Sequence, residues 1–426
     1  MDNRKEPYGQ IILPDGNSYS LDGRQTGLNS NMLIVATSGA GKTRDVITPA
    51  ILECNGSYVI SDMKGMLFKT WGKFMRDNGY RTVRVSFSDP SHSYHYNPLH
   101  YVNTTQEIQI LAHSLVEARG IFRSDPYWDQ MSELLISSII SYLKETSSEK
   151  ESTIANVLAF LRLANRKDEE SGDKRSRLSK LFYDLQQTNP RSWAVKQFAE
   201  VNLCAGKTWA SIASTAVSKL AAYDTEELGE MMKYDVLDFQ SIGQKRTCVF
   251  VETSDTDRSM DAMINVFFSQ AMHQLCQYAD TKCKDNELPV PVTFIIDDFG
   301  SGCRIDNFEK MISNIRSRRI SAILAIQSFA QLREGYGESA STIADDCDTL
   351  LYLGSNDPQT AQQIAVRVNK TPYSVLHMPL HTSWIIRRGA EPVFVEKNMA
   401  LDDYLKERDI EPDTSYDLDD PETDAI

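Results

Sequence analysis

A chain of 426 residues with 41% hydrophobic content can bury a large core divided over about two or three domains, while its net charge of −14 excludes a chain-wide electrostatic attraction for nucleic acid. No apolar run approaches the ~18 residues of a membrane helix, Leu134 to Leu143 being interrupted by serines, and no basic-then-apolar leader is read at Met1. Seven scattered cysteines with no Cys-x-x-Cys pair exclude a disulfide framework and a zinc site, and fit a reducing cytoplasm.

In chain order, the first strong signal is an apolar strand over 32 to 36 that feeds a loop of small residues. Ala36, Thr37, Ser38, Gly39, Ala40, Gly41, Lys42 and Thr43 have the chemistry of a triphosphate cradle. In such a loop the amides point at the β- and γ-phosphates, Lys42 adds a positive charge, Thr43 ligates Mg²⁺, and the next helix presents its positive dipole end. Gly39 and Gly41 permit the backbone angles this requires. Ala36 stands where the full pattern has glycine, so a plain strand-to-helix turn is the alternative.

Strands follow over 57 to 61 and 82 to 87. His92, His95 and His100 sit among Ser, Asn and Pro, with no carboxylate or thiolate at ligand spacing, and read as a polar loop. From about Thr104 to Tyr234 strand signals vanish. Trp128, Met131, Leu135, Ile139 and Tyr142 fall near one helical face, and Ile154, Leu158 and Leu161 continue the pattern. This is an all-helical domain inserted into an α/β domain. Inside it, Arg162 to Arg177 mixes six basic with four acidic residues and reads as an exposed loop.

Strands resume over 247 to 252, 292 to 297, 320 to 326 and 349 to 353, with an edge hairpin near 383 to 396. Short β-branched runs alternating with helices predict a largely parallel sheet. The strand from Val292 ends in Asp297 and Asp298, the paired acids that ATP hydrolysis needs: Asp297 for Mg²⁺ and Asp298 for the attacking water. Asp298 is one methylene shorter than the Glu common in such motors, which predicts slow turnover. Arg316, Arg318 and Arg319 precede a strand ending in Gln327, placed to sense the γ-phosphate or to order the water. Arg316, and less so Arg318, are candidates for a finger offered to a neighbouring subunit. From Leu401 to Ile426 eleven acids face only Lys406 and Arg408, which reads as disordered solvating sequence.

With these residues, and with Ser61-Asp62-Met63-Lys64-Gly65, Tyr96-Asn97-Pro98-Leu99, Asp125-Pro126-Tyr127-Trp128, Gln327-Ser-Phe-Ala-Gln331-Leu332 and Asp346-Cys347-Asp348-Thr349, the chain resembles the coupling-protein ATPases of type IV secretion and conjugation. These are RecA-like hexameric DNA-pumping motors. The resemblance runs from about Asn31 to Asn398. It implies a RecA-like nucleotide-binding domain in two pieces, 1–103 and 236–398, the inserted all-α domain at 104–235 and the acidic tail at 399–426. It also implies ATP and Mg²⁺ between the subunits of a homohexamer, Arg316 acting in trans, and single-stranded DNA with its relaxase and secretion-channel components as partners. Asp62 and Lys64 match a family motif near the nucleotide edge, where they would pair with each other or with a neighbour. Family members begin with membrane helices, whereas roughly thirty residues precede the loop here. The expected location is therefore the cytoplasm at the inner face of the membrane, reached through partners or through an anchor outside this sequence. The rival expectations are a low-turnover docking platform and a related DNA-translocating motor.

Overall fold

The computed structural model describes residues 9–116, 125–165, 175–204, 206–254, 256–300 and 304–412. The chain forms two compact units, one of Met1–Val85, Phe239–Arg258 and Ala271–Ile426, the other of Ser86–Asp238 and Ser259–Gln270. The second unit thus opens at Ser86 rather than Thr104 and regains a short piece after Arg258, a return that helical periodicity alone does not reveal.

The first unit is built on strands β1 (Gln10–Ile12), β2 (Ser18–Ser20), β3 (Met32–Ala36), β4 (Ser57–Met63), β5 (Arg81–Ser86), β6 (Thr247–Thr253), β7 (Val292–Ile296), β8 (Ile320–Ile326), β9 (Thr349–Gly354), β10 (Ser383–Arg387) and β11 (Val393–Val395). The pair β1 and β2 forms a separate antiparallel hairpin. The other nine make one sheet in the order β11-β10-β9-β3-β8-β7-β4-β6-β5. From β9 to β6 neighbours run parallel, while β10 is antiparallel to both β9 and β11.

All five residues of β3 are buried, as a central parallel strand covered on both faces requires. Met32, Ile34 and Ala36 face a core shared with Ile60, Phe68, Trp71, Phe250 and Ile323. Leu33, Val35, Leu324 and Ile326 point the other way and are equally buried. Asn31 staples the middle of the sheet: its side-chain oxygen accepts from the Ala322 amide at 3.0 Å, and its NH₂ donates to the Ile312 and Asp346 carbonyls. A buried amide with its donors and acceptor engaged adds register without an unsatisfied group.

In the second unit the Pro126–Thr146 helix is capped by Asp125, which accepts from the Tyr127 amide, with Pro126 in the first turn. Residues 135–141 are buried all round the helix, so the predicted face widens into a core helix. Its serines are satisfied locally: Ser138 donates to the Leu135 carbonyl at 2.7 Å and Ser137 to Gln197 at 3.0 Å. His92 pairs with Asp89, His95 stacks on Tyr234, and His100 pairs with Glu149. Most of the predicted loop between Arg162 and Arg177 falls on 166–174, outside the described residues.

The tail departs from expectation. Leu401–Arg408 is a helix with Tyr404 and Leu405 buried, and the Tyr404 hydroxyl donates to Glu53 at 2.8 Å. Two apolar anchors one residue apart outweigh the acidic composition there. Residues 413–426 lie outside the described residues. Among the described residues no helix is long and apolar enough to cross a membrane.

Candidate active site

The loop after β3 rises at the carboxyl ends of the parallel strands, where such sheets bind ligands. Gly39 (φ 78°) and Gly41 (φ 92°) take left-handed angles, and a Cβ on Gly41 would collide with the Asp45 carboxylate. Ala36, by contrast, is the last residue of β3 and has no left-handed angle, so the methyl that replaces the expected glycine's hydrogen costs nothing in the backbone. The chain then turns through a wide π-type segment, Lys42–Ile47, into the Thr48–Leu52 helix.

Three strands bring the predicted residues together. Lys42 Nζ lies 2.8 Å from Asp297 Oδ1 and 3.9 Å from Asp298 Oδ1. The Thr43 hydroxyl donates to Asp297 Oδ2 at 3.3 Å. Asp298 Oδ1 in turn accepts from Gln327 Nε2 at 3.0 Å and from Gln331 Nε2 at 3.4 Å. Gln331 also accepts the Gln327 amide at 2.6 Å, and Ser355 Oγ donates to the Gln327 carbonyl, so Gln327 is held from both sides.

Asp298 has φ 55°, in the left-handed region. Asp is enriched several-fold there because its short polar side chain bonds locally. The backbone therefore accounts for the shorter acid at this position. Behind it Phe299 is fully buried against Phe308 and Tyr336, with ring centroids 5.1 and 5.0 Å away, and its amide donates to the Ala325 carbonyl.

Sequence reasoning passed over Ser61 as anything more than the start of a motif. Its Oγ accepts the Asp297 amide at 2.7 Å and lies 3.4 Å from the Asp297 carbonyl, while the residue itself is 3% exposed. It ties the end of β4 to the end of β7. Replacing Ser61 with Ala should lower ATP turnover about tenfold or more and raise the Mg²⁺ concentration needed for half-maximal rate, while Ser61→Thr restores both. Steady-state rates across a Mg²⁺ titration would check this, and an unchanged titration for the Ala variant would contradict it.

Asp62 is fully buried near the end of β4. Its two carboxylate oxygens accept the Leu67 and Phe68 amides, each at 2.8 Å, and so hold the first turn of the Met66–Asp77 helix. Burial pushes its pKa up to about 6 against the pull of those amides, with Glu252 adding to the rise and Arg84 opposing it. A folded pKa above the unfolded one means stability is lost as pH rises from about 4 through 6. Compared with Asp62→Asn, the natural chain should gain roughly 1 kcal/mol more stability between pH 7 and pH 5, read by denaturant unfolding at each pH.

The arginines lie elsewhere. Arg316 stands before β8 and Gln327 after it, so the seven-residue strand puts roughly 20 Å between them. Arg316 Nη2 donates to the Gly23 carbonyl at 2.8 Å. Arg318 is clasped by Asp280 through two 2.8 Å bonds, and Arg319 donates to the Leu288 and Pro289 carbonyls. Arg318 is thus neutralised by a carboxylate and Arg319 tied to two carbonyls, whereas Arg316 donates to one backbone carbonyl, which leaves Arg316 the better finger candidate.

The family model for type IV secretory system conjugative DNA transfer matches residues 4–397. The chain belongs to this family. Within this conjugative-transfer family it is 23% identical over 413 residues to protein VirD4 of Agrobacterium fabrum, covering 91% of this chain and 57% of that one, with similar figures for VirD4 of Rhizobium rhizogenes. The chain thus spans little more than half the length of these curated relatives. Among solved structures it is similar to the bacterial conjugative coupling protein TrwBdeltaN70 in a trigonal form with sulphate, with a TM-score of 0.68 at 14% identity over 94% of this chain and 91% of that one. It is also similar to the plasmid coupling protein TrwB in complex with ADP and Mg²⁺, with a TM-score of 0.64 at 14% identity over 93% and 89%. These likenesses establish the fold: a RecA-like P-loop domain with a largely parallel sheet, and an all-helical domain.

Proposed function

We propose that the chain is an ATP-hydrolysing motor of conjugative transfer that moves single-stranded DNA, with its bound relaxase, into a type IV secretion channel. The observation that carries this is the convergence of Lys42, Thr43, Asp297, Asp298 and Gln327 on one strand-end cluster in a chain of this family. The complex of TrwB with ADP and Mg²⁺ supports the same ligands here.

A hydroxyl and a carboxylate 3.3 Å apart are a hard-oxygen pair of the kind that holds Mg²⁺ beside retained waters and substrate phosphates. Thr43 and Asp297 would hold that ion, which would supply positive charge against the charge developing on the transferred phosphoryl group. The loop amides from Thr37 to Gly41 bind phosphate oxygens, and Lys42 turns from Asp297 to the γ-phosphate. Asp298, with two amide donors on one oxygen, orients the attacking water and takes its proton. Gln327 exchanges its bond to Asp298 for one to the γ-phosphate, reporting nucleotide state to β8. Arg316 completes the site of the next subunit in a homohexamer, because its own site lies a strand length away. The ring works in the cytoplasm at the inner face of the membrane, beside channel components.

ATP turnover by the full chain should rise on adding single-stranded DNA. Tight ATP binding with no turnover in any oligomeric state, DNA present or absent, would instead mark a docking platform for secretion substrates.

A further inference from the structure

The helical unit contains a cavity of ≈580 Å³ that no step above uses. Its size is that of a small-ligand site rather than a packing defect. One wall is aromatic. Phe182 and Phe198 stack with centroids 3.9 Å apart, and Trp209 meets Phe198 edge-on at 5.7 Å, its indole N–H held by the Ala164 carbonyl at 3.0 Å. Tyr183 lines the cavity while remaining 44% exposed, with the Arg175 guanidinium 4.2 Å from its ring centre. Asn165, Gln186 and Asn202 bring side-chain amides to the lining, beside Ser176 and Ser179.

Charge narrows the class of ligand. Arg175 lines the cavity, and Arg177, Lys180 and Lys207 stand near lining residues in sequence, in a chain whose net charge is −14. No Asp or Glu is among the described residues lining the cavity. A basic peptide finds no partner in such a lining. An unstacked nucleotide finds three: a ring for its base, side-chain amides for the base edge and the Arg175 guanidinium for a phosphate. The wall continues outward, since the Tyr127 hydroxyl lies 3.3 Å from the sulfur of Cys204, a lining residue, and Leu203 beside it is 84% exposed.

We infer that this cavity seats a base of single-stranded nucleic acid, stacked on Tyr183 and Trp209, with Arg175 on an adjoining phosphate. The inference rests on the reading of the chain as a DNA motor and gives that motor a grip outside its ATP site.

Binding of a fluorescein-labelled oligo-dT to the full chain, followed by anisotropy, tests it. Tyr183→Ala should weaken binding roughly 5- to 150-fold, the range for one lost base stack. Arg175→Gln should reduce the log–log salt slope by about 0.7. Both variants should keep the ATP turnover measured without DNA. Oligo-dT should also quench tryptophan fluorescence, and Trp209→Phe should abolish that quenching. Natural affinity and salt slope in both variants, or quenching that survives Trp209→Phe, overturns the inference while leaving the motor intact. Quenching by an aromatic peptide but not by oligo-dT makes the cavity a peptide site and overturns it too. A natural chain that neither binds oligo-dT nor responds to it in turnover sinks the motor reading itself.

Discussion

Replacing Arg316 with Ala should leave ATP binding near its natural level and lower turnover by roughly 10³- to 10⁵-fold, the span attributed to a transition-state arginine. Binding survives because Arg316 stands at the amino end of β8 while the phosphate loop lies at the carboxyl ends of the strands, so one chain's guanidinium never reaches its own nucleotide. Turnover falls because charge developing on the γ-phosphate loses a donor that only a second copy supplies. Mixing provides the decisive measurement. Arg316→Ala subunits keep an intact loop but offer no finger, and Lys42→Ala subunits offer a finger but have no working loop. A mixture of the two inactive proteins should recover part of the activity, since interfaces joining a good loop to a good finger form by chance. Absence of recovery over a range of mixing ratios, with assembly verified, would refute action in trans. The same variant with Lys in place of Arg should recover little, because an ammonium lacks the planar fork that engages two phosphate oxygens.

What the sequence disclosed divides along a physical line. The loop Ala36 to Thr43 and the Asp297–Asp298 pair were legible because each is a short, contiguous chemical pattern at the end of an apolar strand. The strand limits were close for the same reason, since fully buried parallel strands read as β-branched runs. The Ser61 tie was not legible. Ser61 and Asp297 are 236 residues apart in sequence, and their contact depends on β4 lying beside β7, which no local pattern encodes. The spacing of Asp62 and Lys64 left a pairing with each other or with a neighbour open, and the two amides that Asp62 accepts come from a backbone turn after β4 that no local pattern announces. Asp298 looked like a weakened Glu until its left-handed backbone explained the shorter side chain. The acidic tail concealed a helix because composition averages over Tyr404 and Leu405, whose burial outweighs several solvated acids.

Replacing Lys42 with Ala should cost at least 10²- to 10³-fold in turnover and weaken ATP binding with it, because the lysine contributes to both the ground state and the transition state. The structure adds a second effect that separates chemistry from folding. Lys42 and Asp297 side chains are only 14% and 13% exposed, and the ammonium lies within 4 Å of both Asp297 and Asp298. Removing the cation leaves the nearly buried Asp297 carboxylate and the partly exposed Asp298 carboxylate without it, a loss of about 3 kcal/mol by comparison with other broken buried pairs. The single variant should therefore unfold at lower denaturant concentration. Adding Asp297→Asn to Lys42→Ala removes one of the uncompensated charges, so the double variant should regain most of the lost stability. Turnover should not return, since neither the cation for the γ-phosphate nor the carboxylate for Mg²⁺ is restored. If the double variant instead stayed as unstable as Lys42→Ala, the lysine's contribution would lie in the loop backbone rather than in neutralising this pair. If stability and turnover recovered together, the cluster would be a structural ion pair, and the ATP site would have to lie elsewhere.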